Sequence, residues 1–178
     1  MVEIVNIVAG GDLNRELDLE AVKSELSNIQ WASAEFSGGG HWQLLIRFDE
    51  GGMVILYRTG KYILRGGSSF RNLDILKSNF SDIFEDTLIV PGNGNISYEI
   101  QNVVFLEELD FSVDLNQVAI QLEVKNIEYE PEQFPGLIYR PKDFESVMLV
   151  FATGKVIITG STSEQEAEDA VESLRQIL

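Results

Sequence analysis

The chain contains no cysteine, which removes disulfides, thiolate metal sites and thiol catalysis together. It contains a single histidine, His41, with no nucleophile or metal-ligand set beside it, so His41 reads as a loop residue. Positive charge is scarce as well: 13 Lys and Arg stand against 29 Asp and Glu, for a net charge of −16. That balance excludes a uniformly basic nucleic-acid binder. No apolar run approaches the ~20 residues that a membrane span needs, and no signal-peptide pattern opens the chain. The expectation is a cytoplasmic protein with no membrane partner. The triple glycine Gly38–Gly40 lacks the Lys-Ser/Thr that a phosphate-binding Walker loop requires. Nothing reads as an active site, and no cofactor is implied.

What the chain does have is 44% hydrophobic residues, which excludes disorder, and a message given twice. Glu3-Ile4-Val5-Asn6-Ile7-Val8 returns as Glu99-Ile100-Gln101-Asn102-Val103-Val104, 96 residues on. Leu17-Asp18-Leu19 returns as Val113-Asp114-Leu115 at the same offset, and Thr59-Gly60-Lys61 as Thr153-Gly154-Lys155 at an offset of 94. The spacing predicts two repeats, residues 1–90 and 95–178, fused into one domain with a joint near 91–95, where Pro91-Gly92-Asn93-Gly94-Asn95 collects turn formers. Two similar lobes suit a partner with approximate two-fold symmetry, of which duplex DNA is the commonest.

Each repeat reads as strand, helix, four strands, helix. Strands are expected at 3–8, 29–36, 43–48, 52–58 and 61–66, and again at 98–104, 127–134, 136–141, 146–152 and 155–160. Helices are expected at 18–26, from Ser68, at 114–122, and from the capping-box pattern Ser163…Glu166 to Leu178. The strands Met53–Tyr57, Ser146–Phe151 and Lys155–Thr159 are apolar at successive positions, whereas an antiparallel sheet with one solvated face should alternate. Two helices per repeat cover only one face of five strands. The other apolar face must then be covered by a partner or by dimerisation. Seven of the 13 cations (Arg47, Arg58, Lys61, Arg65, Arg140, Lys142, Lys155) fall in strands or strand turns, and acidic residues gather in helices, so one surface can be locally basic.

Several segments resemble the TATA-box-binding protein family of archaea and eukaryotes. Tyr129-Glu130-Pro131-Glu132-Gln133-Phe134-Pro135-Gly136-Leu137-Ile138-Tyr139-Arg140 is similar to that family's second-repeat signature, Leu149–Lys155 with Thr159-Gly160 to its next strand pair, and Glu99–Val104 to its repeat opening. The resemblance is highly specific over 126–178 and looser in the first repeat. It implies an α+β saddle: a pseudo-two-fold, curved antiparallel sheet of ten strands, with helices on the convex face. It also implies a general transcription initiation factor that binds an A/T-rich TATA element in the minor groove, bends it, and recruits transcription factor B and RNA polymerase on the nucleoid of an archaeal cell. Aromatic wedges between base steps belong to the known mechanism of that family.

Carried onto matching positions, the wedges are Phe134 and Phe151 in the second repeat and Phe36 and Tyr57 in the first. Asn6 and Asn102 take the place of paired central asparagines. Val8, Val104, Ile55, Ile63, Val147, Leu149, Ile157 and Thr159 supply the apolar surface against which a guanine amino group would clash. Arg47, Arg140, Lys61 and Lys155 would reach phosphates. Glu130, Glu132 and Gln133 lie in the loop where factor B docks. The first repeat departs from the pattern: Tyr57 stands for Phe, and Arg65 for the threonine matched by Thr159, adding charge to the interface. The stretch Ser37–Trp42 admits two alignments. One sets Phe36 opposite Phe134 across an insertion of about five residues; a gapless one sets His41 there. A second reading is a diverged paralogue that acts mainly as a protein-interaction module with weak DNA binding.

Overall fold

A computed structural model of the chain describes residues 1–87 and 96–178. The joint expected near 91–95 lies outside the described residues. The first repeat runs β1 (Glu3–Asp12), α1 (Leu19–Leu26), β2 (Ala32–Phe36), β3 (Gln43–Phe48), β4 (Met53–Tyr57), β5 (Lys61–Arg65) and α2 (Phe70–Thr87). The second runs β6 (Glu99–Glu108), α3 (Leu115–Gln121), β7 (Ile127–Glu128), β8 (Gly136–Tyr139), β9 (Val147–Phe151), β10 (Lys155–Thr159) and α4 (Glu164–Arg175). The ten strands form an open antiparallel sheet, β2-β3-β4-β5-β1 from the first repeat and β6-β10-β9-β8-β7 from the second. The class is α+β, with the element order expected from the sequence.

By contact the chain separates into two compact units, Asn6–Gln101 and Met1–Val5 with Asn102–Leu178. In the first unit the apolar stripe of α1 (Leu19, Val22, Leu26) and that of α2 (Leu73, Leu76, Phe80, Ile83) are buried together with Leu44, Ile46, Val54, Leu56, Tyr62 and Leu64 of the sheet. In the second unit Leu115 and Val118 of α3 and Ala167, Ala170 and Leu174 of α4 are buried with Val103, Phe105, Leu137, Met148, Val150, Val156 and Ile158. These strand positions alternate, so each unit buries one face of its strands, as the period of two requires.

The repeats share their punctuation. Asp18 caps α1 by accepting from the N–H groups of Glu20 and Ala21 at 3.0 and 3.2 Å. Asp114 caps α3 by accepting from Asn116 and Gln117 at the same distances. The β4–β5 and β9–β10 turns place Gly60 and Gly154 at φ 89° and 90°, which favours glycine in both copies. The capping box at α4 is half formed: Ser163 Oγ accepts from Glu166 N–H at 3.3 Å. The Glu166 carboxylate turns instead to the hydroxyls of Ser146 and Ser161, at 3.1 and 2.8 Å.

Two ionisable groups are held in place by burial. Tyr62 is 2% exposed and donates its hydroxyl to the Ser97 carbonyl at 2.5 Å. Desolvation, then the nearby Asp12 carboxylate, pushes its pKa up to about 12. Glu107 is 5% exposed. Desolvation pushes its carboxyl up, but hydrogen bonds from the N-terminal ammonium and from Arg175, whose Nη2 lies at 2.6 Å, outweigh it and hold the pKa below the usual glutamate range.

Candidate nucleic-acid interface

The strand positions between the buried ones make a second face. In the first unit it carries Asn6 and Val8 of β1, Gln43, Leu45 and Arg47 of β3, Met53, Ile55 and Tyr57 of β4, and Lys61, Ile63 and Arg65 of β5; the apolar members are half-buried. In the second unit it carries Asn102, Val104 and Leu106 of β6, Ile138 of β8, Val147, Leu149 and Phe151 of β9, and Ile157 and Thr159 of β10, all half-buried. Neither helix of a unit covers this face. The doubly apolar strands are thus explained: one set of side chains is core, and the other forms the half-buried opposite face.

Phe134 and Phe151 come together. Their ring centroids are 5.7 Å apart at an interplanar angle of 64°, an edge-to-face pair. Gly136 lies directly opposite Phe151 in the β8–β9 ladder. A Cβ on Gly136 would stand 2.8 Å from Phe134 Cε1 and 3.1 Å from Phe151 Cε1, so the glycine makes room for both rings. Asn102 Oδ1 accepts from Thr159 Oγ1 at 3.0 Å and from Gly160 N–H at 3.1 Å. With its oxygen so engaged, Asn102 has its Nδ2 hydrogens left to donate.

In the first unit the strand register decides between the two alignments. Gln43 pairs with Tyr57 as Gly136 pairs with Phe151, and Glu35 pairs with Leu45 as Glu128 pairs with Ile138. A single offset of 93 therefore runs unbroken from Ala34 to Arg47, with no insertion, and His41 corresponds to Phe134. The alignment that placed Phe36 there is corrected; Phe36 corresponds to Tyr129. The face is wrong for a wedge as well, because Phe36 pairs with Leu44, on the helix-covered side. Lys23 of α1 lies 4.8 Å over the Phe36 ring. His41 stacks on that ring at 4.3 Å, and its Nδ1 meets the Glu20 carboxylate of α1. Tyr57 is on the bare face as expected, but among the described residues no ring packs against it.

The expected phosphate-reaching cations sit at strand ends, and most hold a carboxylate across the ladder. Arg47 meets Glu35 at 3.0 Å, Arg140 meets Glu128 at 2.8 Å, and Lys155 meets Glu108 at 3.4 Å. Lys61 stands opposite Asp12 in register. These pairs are solvent-exposed, so each contributes only about 0–1 kcal/mol and exchanges readily. Glu130, Glu132 and Gln133 are exposed in the β7–β8 loop, where Gln133 Nε2 donates to Glu130 Oε2 at 2.5 Å. No group of three or more His, Cys, Asp or Glu among the described residues could hold a metal.

Comparison with known proteins fixes the family. The model for transcription factor TFIID (or TATA-binding protein, TBP) matches residues 1–87 and 97–178. The chain belongs to the TATA-binding protein family. It is 40% identical over 172 residues to TATA-box-binding protein C of Halobacterium salinarum, covering 96% of this chain and 93% of that one. It is 34% identical to the TATA-box-binding protein of Methanothrix thermoacetophila over 99% of this chain and 94% of that one. Its fold matches the solved structure of Methanococcus jannaschii TBP with a TM-score of 0.79, at 32% identity and with 99% and 97% of the two chains covered. The family is one of DNA-binding transcription factors, not of enzymes.

Within this TBP-family chain, strand alternation adds Gln43, Leu45, Met53, Leu106 and Ile138 to the bare face. Sequence reasoning missed them. The signal was present, since each lies two residues from a residue already singled out or directly across the ladder from one. Phe105 of β6, on the opposite face, is core at 0% exposure.

Proposed function

We propose that this general transcription factor binds an A/T-rich TATA element through the bare sheet face, in the minor groove, and bends it. The observation that carries the reading is the Phe134–Phe151 pair, left half-exposed on the same sheet face that carries Asn102. Unstacking a base step costs a few kcal/mol, and two rings offered at one place offset part of that cost. Asn102 presents donors to the acceptors that A·T and T·A pairs share, while Val104, Val147, Leu149 and Ile157 offer nothing to a guanine amine. The arginines and lysines at the strand ends exchange their carboxylates for phosphates. The exposed Glu130–Gln133 loop supports docking of the basic partner, transcription factor B, and through it recruitment of RNA polymerase. The working location is the cytoplasm, on the nucleoid; no described helix is long and apolar enough to cross a membrane.

A second reading has its own support. Among the described residues the bare face of the first unit carries no ring pair, and three of the interface cations are already matched by carboxylates. On that reading the chain acts mainly through factor B, with weak DNA binding. A mobility-shift titration with A/T-element and scrambled duplexes, with and without factor B and across salt, separates the two. Selective retention of the A/T duplex by the chain alone supports the first. Retention only with factor B supports the second, and equal retention of both duplexes overturns the promoter reading. A second copy seated on the bare face would show in the same experiment as a concentration-dependent loss of DNA binding.

A further inference from the structure

The two units differ at one corresponding position on their bare faces. Where the second unit has Gly136, between two phenylalanine rings, the first has Gln43, directly opposite Tyr57. A side chain at this position takes up space that a second ring would need, as the clash of a Cβ on Gly136 with Phe134 demonstrates. The residue that would bring that second ring, His41, is turned away onto Phe36 and Glu20.

The Gln43 amide is also oriented. Its Nε2 donates to Ser37 Oγ at 2.5 Å, and the Ser37 N–H donates to the Gln43 backbone carbonyl at 3.3 Å. One Nε2 hydrogen is so engaged, and Gln43 keeps a second N–H and the acceptor Oε1 to offer a ligand. Among minor-groove edges only a G·C pair carries a donor, the guanine N2 amino group; A·T and T·A pairs show acceptors alone. An apolar surface leaves that amine unpaired, whereas a side-chain carbonyl accepts from it.

We propose that Gln43 is a specificity-determining residue: at the end of the site read by the first unit, its Oε1 accepts from guanine N2, so that end takes a G·C pair that the Phe134–Phe151 end rejects. The inference rests on the minor-groove reading above. It makes the bound element unsymmetrical, with strict A/T demand at one end only, and so gives the complex a direction.

The test uses the full chain and A/T-rich duplexes in which each pair is replaced, one at a time, by G·C or by inosine·C. Inosine lacks the N2 amine and presents an A/T-like minor groove, so the G·C-to-inosine·C ratio isolates that one group. Binding is read by fluorescence anisotropy. At one end, G·C should bind at least as tightly as inosine·C. There Gln43→Leu should weaken G·C by about tenfold, the low end of what one base contact is worth, and leave inosine·C unchanged. At the other end G·C should be the weaker partner for both proteins. An equal G·C penalty at the two ends of the unaltered protein overturns the proposal without needing the variant, as does a ratio that Gln43→Leu leaves unchanged everywhere. If the parent A/T duplex binds no better than a scrambled one, the minor-groove reading itself fails, and this inference with it.

Discussion

Truncating the two rings of the second unit tests the interface most directly. Base–aromatic stacking is worth about 1–3 kcal/mol per base by alanine substitution, so Phe134→Ala and Phe151→Ala should each weaken binding of the A/T element by about 5- to 150-fold. The rings touch, with centroids 5.7 Å apart, so the two losses should not add. Each ring also holds the other in position, a coupling of about 0.5–1.5 kcal/mol. The double variant should therefore lose about that much less than the sum of the singles. The fold should survive. Both rings are half-exposed, so truncation should cost well below the 3–5 kcal/mol typical of a buried phenylalanine; about 1 kcal/mol would lower Tm by about 2–4 °C. Anisotropy gives the affinities, end-to-end energy transfer on a doubly labelled duplex gives the bend, and a thermal melt is the control. A double variant that binds within about twofold of the parent and leaves the end-to-end distance unchanged would refute the wedge. So would a collapse in Tm, which would make the pair core.

Three further outcomes follow from the buried groups and caps. Glu107→Gln should destabilise the fold at neutral pH; because the folded carboxyl titrates below its unfolded value, that contribution is present above about pH 4.5 and fades as pH falls through the folded pKa. Melts of parent and variant should therefore converge in acid. Tyr62 titrates near 12 when folded, against about 10 when unfolded, so its contribution of about 2–3 kcal/mol is full below pH 10 and lost as pH rises toward 12. Denaturant titrations of Tyr62→Phe should lack that alkaline loss. Asp18→Ala and Asp114→Ala should each cost about 1 kcal/mol and do so equally, since the two caps are alike in geometry; a difference above that size in chemical denaturation would mean that the repeats are not equivalent there.

Most elements were legible because each repeat was readable against the other, and the shortfalls have physical causes. The first strands were expected to stop at Val8 and Val104 but continue to Asp12 and Glu108. Gly10 and Gly11 look like strand breakers, yet they serve close approach: a Cβ on Gly10 would collide with Gln101, and one on Gly11 with the Tyr62 hydroxyl. The expected strand at 127–134 shrinks to Ile127–Glu128. Glu130-Pro131-Glu132 folds into a turn in which Gln133 and Phe134 both donate to the Glu130 carbonyl at 2.9 Å. The bare face was legible from apolar residues at successive strand positions. Its composition in the first unit was not, because similarity of residue type favoured matching Phe36 to Phe134. Only the ladder Glu35–Leu45 beside Glu128–Ile138 shows that the loops have equal length.

Consecutive residues of β4 and β9 answer to different demands. Val54 and Leu56, like Met148 and Val150, are constrained by the helices packed on them, while Ile55, Tyr57, Leu149 and Phe151 are free of that constraint. After a gene doubling, such a chain can change what either copy contacts by altering every second residue, with little risk to folding. Selection can then tune each copy separately, as an exchange of glycine for glutamine at one shared rung illustrates.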